Sequence, residues 1–380
     1  MKVAIIGGGI GGLTAAIALR RRGIDAHVYE RSEVLREVGA GISLWPNAVK
    51  ALLQLGLGAR LSAISHKNTD FALRRWNGSL LASTPAAELE RRFGGGVLIF
   101  HRVTLLGILA ESLGQQFIHL GNTCEALEEN SSSVRVRFTN SATEEADVLI
   151  GADGLNSVVR AHLLHRDPLR YSGYTAWRSI VAFDPSAIVP AETWGCGQRF
   201  GILPTRDGQV YWYATSNAPQ GQHDAESGPT AALLSLFKGW HEPVEALIRA
   251  SGPNVLRNDI YDRNPVSPWG SARITLLGDA AHPMTPDLGQ GACQAIEDAI
   301  EIARFLHTIP NEREALKAYE ASRGPRTRSI VLASRRMGRI GQIDSRLLCG
   351  MRDCALRLTP RSVNLRSLAP FVGYEKHLEN

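Results

Sequence analysis

No stretch of this 380-residue sequence approaches the roughly 18 consecutive apolar residues of a membrane-spanning helix, so the chain reads as soluble. Cysteine is sparse. Cys124, Cys196, Cys293, Cys349 and Cys354 stand apart, none forms a C-x-x-C pair, and no His/Cys group has zinc-ligand spacing. An odd, scattered set gives no disulfide framework; it suits free thiols in a reducing cytoplasm, and no metal site is expected. From Ala321 to Arg366 there is no lysine, and only Asp344 and Asp353 offset eleven arginines. That excess is larger than the whole chain's net +5, so the remainder is net acidic. The same stretch has almost no aromatics, which removes the stacking partners a nucleic-acid surface would interleave with its cations. Internal repeats and low-complexity segments are also lacking.

What is present is an ordinary globular balance, 44% hydrophobic and 21% charged, in a chain long enough for two domains. The apolar run after Lys2 superficially resembles a signal peptide, but five glycines within six positions break it. A strand from Lys2 to Ile6, a tight turn, a helix from Leu13 to Arg22 stopped by Gly23, and a second strand from Ala26 to Glu30 make a compact βαβ start. Ala146 to Ala152 and Arg273 to Leu277 read as further buried strands of the same unit, and Gly291 to about Leu306 as a helix. Between them, Ala176 to Phe183, Phe200 to Pro204 and Val210 to Thr215 have strand character, with a hairpin turn at Arg206 to Gln209. Phe71 to Leu81 is a further source of strands for that antiparallel sheet. The tail after Tyr319 reads as helical, amphipathic and arginine-rich.

The first chemical motif is Gly7-Gly8-Gly9-Ile10-Gly11-Gly12, a G-x-G-x-x-G. Gly7 allows the tight turn, Gly9 lets backbone approach a pyrophosphate, and Gly12 lets helix pack on strand. The helix N-terminus then turns unpaired N–H groups toward the phosphates. Glu30 ends the next strand, close to the spacing expected of a carboxylate that binds a ribose hydroxyl; it disfavours a 2′-phosphate. These residues point to FAD or NAD rather than NADP on this turn.

Resemblance separates FAD from NAD. Asp153-Gly154 within GADGLNSVVR, and Gly278-Asp279 within LLGDAAHPMTPDLGQGACQAIEDA, resemble the second and third signatures of the para-hydroxybenzoate-hydroxylase-like family of group A, single-component FAD monooxygenases. The match runs from residue 2 to about 330, with three motifs in order. It implies tightly but non-covalently bound FAD, with Asp279 on the ribitol chain and Asp153 and Gly154 near the pyrophosphate. Pro286, Gly289, Gly291 and Ala292 would bring backbone to the isoalloxazine. Arg102, in HRVTLLGIL, matches an arginine placed on the FAD phosphates, and Glu30 with Arg31 completes the cofactor set. Arg36 and VGAGISLWPNAV match the segment that runs past the flavin. Cys293 stands where many members have Asn, but urate hydroxylases and zeaxanthin epoxidases share Gly-Gln-Gly, a small residue, then Cys.

The implied fold is a glutathione-reductase-type Rossmann-like α/β domain (1–70, 98–173 and 268–320). An antiparallel β-sheet substrate domain (71–97 and 174–267) is inserted in it, and a helical segment (321–380) follows. The chain, ending at residue 380, would fall among the smaller members that lack a C-terminal thioredoxin-like domain. Arg199, Tyr211 and Asp287 align with residues that urate hydroxylase uses around its substrate. The bland readings stand beside these. Tyr211 is as well explained as core, Arg199 as the partner of a surface acid, Asp287 as a helix N-cap ahead of Gly289, and His282 as a hydrogen-bonded structural histidine. Tyr211 and Tyr213 share one strand face and Trp212 takes the other.

The implied function is a monooxygenase. NAD(P)H, docking transiently, would reduce FAD, and a flavin hydroperoxide would pass one oxygen atom of O₂ to a small aromatic, heteroaromatic, olefinic or lipophilic substrate. If a general base is needed, Asp287 and Tyr211 are the candidates. Rival readings are a flavin dehydrogenase or oxidase and a non-catalytic flavin protein; a halogenase is disfavoured because no W-x-W-x-I-P motif is found. The expected protein is cytoplasmic, monomeric or dimeric, with no nucleic-acid partner. The arginine-rich tail admits three readings: a solvated helix face first, then a lid over the substrate entrance, then weak contact with an anionic membrane surface.

Overall fold

The computed structural model describes residues 1–35, 41–65, 70–164, 168–184, 188–206, 208–224 and 226–373. Lys2–Ile6 is the middle strand of a five-stranded parallel sheet, ordered Ile274–Leu276, Val148–Gly151, Lys2–Ile6, Asp25–Tyr29, Ile118–His119. Helices and a three-stranded antiparallel sheet (Cys124–Glu129, Val134–Phe138, Thr143–Ala146) pack against it, so these strands show little polar alternation; Val148–Gly151 is buried at every position. The first helix spans Ile10–Arg20, opening three residues earlier than the hydrophobic pattern indicates. Gly9 is extended (φ −74°, ψ −178°), so Gly11 and Gly12 become the first helical turn instead of part of the loop. The helix Gly291–Thr308 packs alongside it.

A seven-stranded sheet stands beside this unit, ordered Leu256–Asp262, Arg170–Ala182, Gln209–Asn217, Gln198–Pro204, Ala191–Trp194, Phe71–Arg75, Leu80–Thr84. It is antiparallel except where Ala191–Trp194 meets Phe71–Arg75. The two strands from Phe71 to Thr84 do join it, and its longest strand begins at Arg170, four residues before the expected boundary. Alternation sorts its faces. Trp177, Phe200, Trp212 and Ala214 bury against Leu233, Phe237 and Leu247 of two short helices, while Tyr211 and Tyr213 lie on the opposite face. Pairing of Pro204 with Val210 closes the hairpin expected there; its Asp207 lies outside the described residues.

The described residues end in three helices, Glu312–Gly341, Arg346–Leu358 and Arg361–Val372. The first corrects the reading of the tail as a solvated face. Arg323 is fully buried; its Nε donates to Asp298 Oδ1 at 2.6 Å and its Nη1 to Glu297 Oε2 at 2.6 Å. Arg326 adds a second cation to Glu297, and Arg335 reaches Asp262. Charge composition alone gave no sign that these arginines have buried carboxylate partners on another element. Arg328, Arg336, Arg339, Arg346, Arg357, Arg361 and Arg366 do remain exposed. No helix among the described residues is long and apolar enough to cross a membrane.

Burial alone would raise the Asp298 carboxyl, but His282 and Arg323 outweigh it and hold it at about 2, below its ordinary 3.8. A depressed carboxyl stabilises the fold fully above the ordinary value and loses that contribution as pH falls toward about 2. Arg323→Ala leaves two carboxylates in the core with too little positive charge. It is expected to destabilise the protein by about 3–5 kcal/mol in urea unfolding at neutral pH. The deficit should shrink as the pH falls through the acid range and those carboxylates protonate.

Candidate active site

The C-terminal ends of the parallel strands, with the loops that follow, enclose a cleft of about 480 Å³. Gly7, Gly9, Glu30, Arg31, Arg102, Asp153, Gly154, Gly278, Asp279, Gly291 and Ala292 all line it. The three sequence signatures, over 270 residues apart at their extremes, thus meet on one cavity. Gly12, Pro286 and Gly289 do not line it. Gly12 shapes it from behind, because a Cβ there would fall 2.0 Å from the Gly7 carbonyl oxygen. Gly7 itself sits at φ +112°, where only glycine is comfortable. Nothing in the protein lies within 4 Å of a Cβ built on Gly9, so that side of the turn is open to a ligand. Arg36, expected beside the flavin, lies outside the described residues.

The carboxylates of the cleft have distinct environments. Glu30 accepts from Gly8 N at 2.7 Å and Ser32 N at 2.9 Å, which fixes the turn against the second strand. Asp153 accepts from Val158 N at 2.7 Å and from the Ser157 hydroxyl, capping the helix Val158–Leu164. Its carboxylate therefore positions the Gly154 loop, with Gly154 at φ +79°. Asp279 is different. Among the described residues no hydrogen bond reaches its carboxylate, which is exposed to the cleft. The surrounding walls desolvate it and raise its carboxyl above the ordinary range, while His282 and Arg102 pull the other way. An acceptor without a partner, aimed into a cleft, suits a ligand that brings hydroxyl donors.

The Asp279 segment is held from two sides. Asp298 Oδ2 accepts from Gly278 N at 3.0 Å and pairs with His282 Nε2 at 2.6 Å, so His282 is structural, as its bland reading held. Arg160, from the helix that Asp153 caps, donates to the carbonyls of Ala280 and Ala281, both at 2.7 Å. That contact joins the second signature to the third.

Ahead of Gly289, at Asp287, the same loop joins a second polar cluster. Arg199 Nη2 donates to Asp287 Oδ1 at 2.6 Å, Nη1 to Glu192 Oε1 at 3.3 Å, and Nε to Gln342 Oε1 at 2.9 Å. Tyr174 donates to Asp287 Oδ2 at 2.9 Å. Asp287 is thus not a helix cap, and Arg199 pairs with buried acids rather than a surface one. Burial alone would lower the Arg199 pKa, but Glu192 and Asp287 raise it, so the guanidinium stays charged. Burial raises Glu192 above its ordinary range. The long C-terminal helix packs directly on this pair. A Cβ at Gly338 would come within 2.6 Å of Asp287 Oδ2, and one at Gly341 within 2.9 Å of the Arg199 side chain. The tail is here a fixed wall of the site.

Tyr211 lies apart from that cluster but on the same sheet face, against Ile99 and Leu203, with its ring over Gly41. Burial raises its phenol while Arg178 and Arg102 lower it. Its contacts are those of a core tyrosine, with the Tyr213 ring beside it. The sequence motifs do not reveal Glu192, Tyr174 or Gln342, which come from separate strands and the tail. Asn122, Thr123 and Cys124 of the cleft follow a parallel strand, and that position is the one signal that could have found them. Burial pushes the Cys124 thiol up to about 12, so it stays protonated.

Comparison with known proteins matches this geometry. Residues 1–334 match the FAD binding domain family model. The chain is 40% identical over 361 residues to the aurachin C monooxygenase/isomerase of Stigmatella aurantiaca, covering 94% of each. It is 36% identical over 343 residues to the FAD-dependent urate hydroxylase of Klebsiella pneumoniae, covering 88% of this chain and 89% of that one. The crystal structure of Klebsiella pneumoniae HpxO complexed with FAD and uric acid superposes with a TM-score of 0.93 at 32% identity, covering 98% of this chain and 96% of that one.

Two glycine substitutions separate folding from cofactor binding. Gly9→Ala meets no protein atom, so flavin-stripped variant should melt like wild type yet bind FAD more weakly. Gly12→Ala collides with the Gly7 carbonyl and should lower both. Thermal denaturation of the apoprotein and fluorescence titration with FAD distinguish the two outcomes.

Proposed function

The chain belongs to the group A FAD-dependent monooxygenases, the para-hydroxybenzoate-hydroxylase-like family, and from that membership we propose that it inserts one oxygen atom of O₂ into a small aromatic, heteroaromatic or olefinic substrate at the expense of NAD(P)H. The observation that carries the reading is the continuity of the Pro286–Ala292 segment. Its Gly291 and Ala292 line the cofactor cleft, and its Asp287 belongs to the buried cluster of the strand sheet. One short loop thus joins the cleft to the buried polar cluster of the strand sheet. The similarity to a urate hydroxylase favours a heteroaromatic substrate among these classes.

The residues present suit FAD. Gly7 to Gly12 and Glu30 would hold the adenosine end, with Arg31 and Arg102 near the phosphates and Asp153 fixing the Gly154 loop beside them. Asp279 would accept from ribitol hydroxyls. Pro286 and Gly289 shape the loop that brings the Gly291 and Ala292 amides toward the isoalloxazine. When bound, the flavin would supply the redox chemistry between NAD(P)H and O₂.

The chain's own groups orient the substrate and control its protons. Asp287 has both oxygens engaged by Arg199 and Tyr174, so it holds the guanidinium in place and is a positioning residue first. Tyr211, with its phenol raised by burial, offers a proton donor rather than a base at neutral pH. The charged Arg199 supplies a fixed positive wall, and the Tyr211–Tyr213 face supplies aromatic surface.

With purified FAD-loaded protein and a panel of heteroaromatic compounds, at least one should stimulate NAD(P)H oxidation in air and gain one atom of ¹⁸O from ¹⁸O₂. Bleaching of the flavin by the compound itself, without NAD(P)H and without label, would instead make the protein a dehydrogenase or oxidase. Asp279→Ala removes the free acceptor and should weaken FAD binding by about 10–100-fold in a fluorescence titration, the worth of hydrogen bonds to a charged group.

A further inference from the structure

The helix Arg346–Leu358 is amphipathic in the wrong sense for a soluble surface. Its inner face carries Arg352, Asp353 and Cys349, all buried. Arg352 donates to Asp353 and to the Gly195 carbonyl at 3.0 Å, and Arg75 pairs with Asp353 at 3.1 Å. Its outer face carries Leu347, Met351 and Leu358, which are 73%, 62% and 77% exposed, with Leu348 and Cys354 beside them. The spacing of four, three and four residues through 347, 351, 354 and 358 aligns them on one stripe. Arg357 donates to the Ser79 hydroxyl at 2.7 Å and so ties the helix end to the hairpin that carries exposed Trp76 and Leu80. An exposed apolar stripe of this kind marks a docking surface rather than ordinary scatter.

The charge around the stripe selects the occupant. Arg346 and Arg357 on the helix itself, and Arg361 and Arg366 on the helix that follows it, are exposed. Beyond Gln342 the described residues include only two acids, Asp344 and Asp353, and Asp353 is spent on Arg75 and Arg352. A second copy docked through a two-fold axis would set this arginine rim against itself. An anionic surface meets both features at once, because it takes apolar side chains into its acyl boundary and arginines onto its headgroups. Exposed Trp76 is a side chain favoured at that depth.

We propose that this face docks the protein on anionic lipid bilayers, with helix Arg346–Leu358 lying in the interface plane and no segment crossing it. The assignment stands on this exposed face and does not depend on the identity of the substrate.

The test uses FAD-loaded full-length protein in co-sedimentation with vesicles of phosphatidylcholine alone and of equimolar phosphatidylcholine and phosphatidylglycerol. Pelleting with the anionic vesicles only, weakened by added salt, is expected. The triple variant Leu347→Glu, Met351→Glu, Leu358→Glu should cut the vesicle-bound fraction by about tenfold or more. Its flavin spectrum and melting temperature should match wild type, because all three side chains are solvent-facing. Arg346→Glu with Arg361→Glu should weaken binding to the anionic vesicles as well. Absence of pelleting with either vesicle, or a triple variant that binds like wild type, overturns the proposal. So does a concentration-dependent dimer in sedimentation velocity that the triple variant abolishes, since the stripe would then belong to a second copy.

Discussion

Arg323 reaches from the long C-terminal helix into a fully buried position between Glu297 and Asp298, and much of the molecule hangs on that contact. Asp298 uses its other oxygen on the Gly278 amide and on His282, immediately beside Asp279, whose carboxylate no hydrogen bond reaches among the described residues. Glu297 accepts from Asn47, Gln294 and Arg326, which draws in the helix that follows the Gly41–Leu44 strand. Buried ion pairs seldom add much net stability, because desolvation consumes most of the Coulomb gain. Their value here is positional: fully satisfied, they fix the cofactor helix, the Gly278–Asp279 turn and the tail in one arrangement.

The same long helix meets the second cluster one end further on. Thr285 and Ser334 exchange hydrogen bonds, and Gly338 and Gly341 let Asp287 and Arg199 approach the helix backbone. One element therefore braces the Pro286–Ala292 loop both at its cleft-lining end and at the buried Arg199–Asp287 pair. This is why a tail that reads from sequence as an appendage is part of the site. The proposed oxygen transfer asks for such rigidity, since the protein's contribution would be to hold a substrate against a cofactor and to keep water away.

Local chemistry decided what the sequence made legible. The parallel strands are short apolar runs punctuated by glycines whose geometry is required, so Lys2–Ile6 and the Gly7–Gly12 turn read directly. The cleft-lining signatures were legible because each carries its function in adjacent residues. The Glu192–Arg199–Asp287–Tyr174 cluster is assembled from four separated segments, and only Arg199 and Asp287 were visible, through resemblance. Pairing partners of buried arginines cannot be read from a charge count, so Arg323, Arg326 and Arg335 looked like solvated surface. The helix Arg346–Leu358 misleads in the opposite direction. Its apolar stripe has the period of a core face, yet Arg352 and Asp353 take the inward position because the Gly195 carbonyl and Arg75 await them there.

The claim that the ionic core behind the cleft sets the cofactor site is tested most directly by the dissociation constant of FAD in Asp298→Asn. Asp298 does not line the cleft, and the variant keeps the side-chain shape while removing the charge that orders Gly278 and His282. FAD binding weaker by about tenfold, in protein whose circular dichroism is unchanged, is the predicted result, the cost of about one displaced hydrogen bond. Wild-type affinity in a folded Asp298→Asn protein would contradict the account.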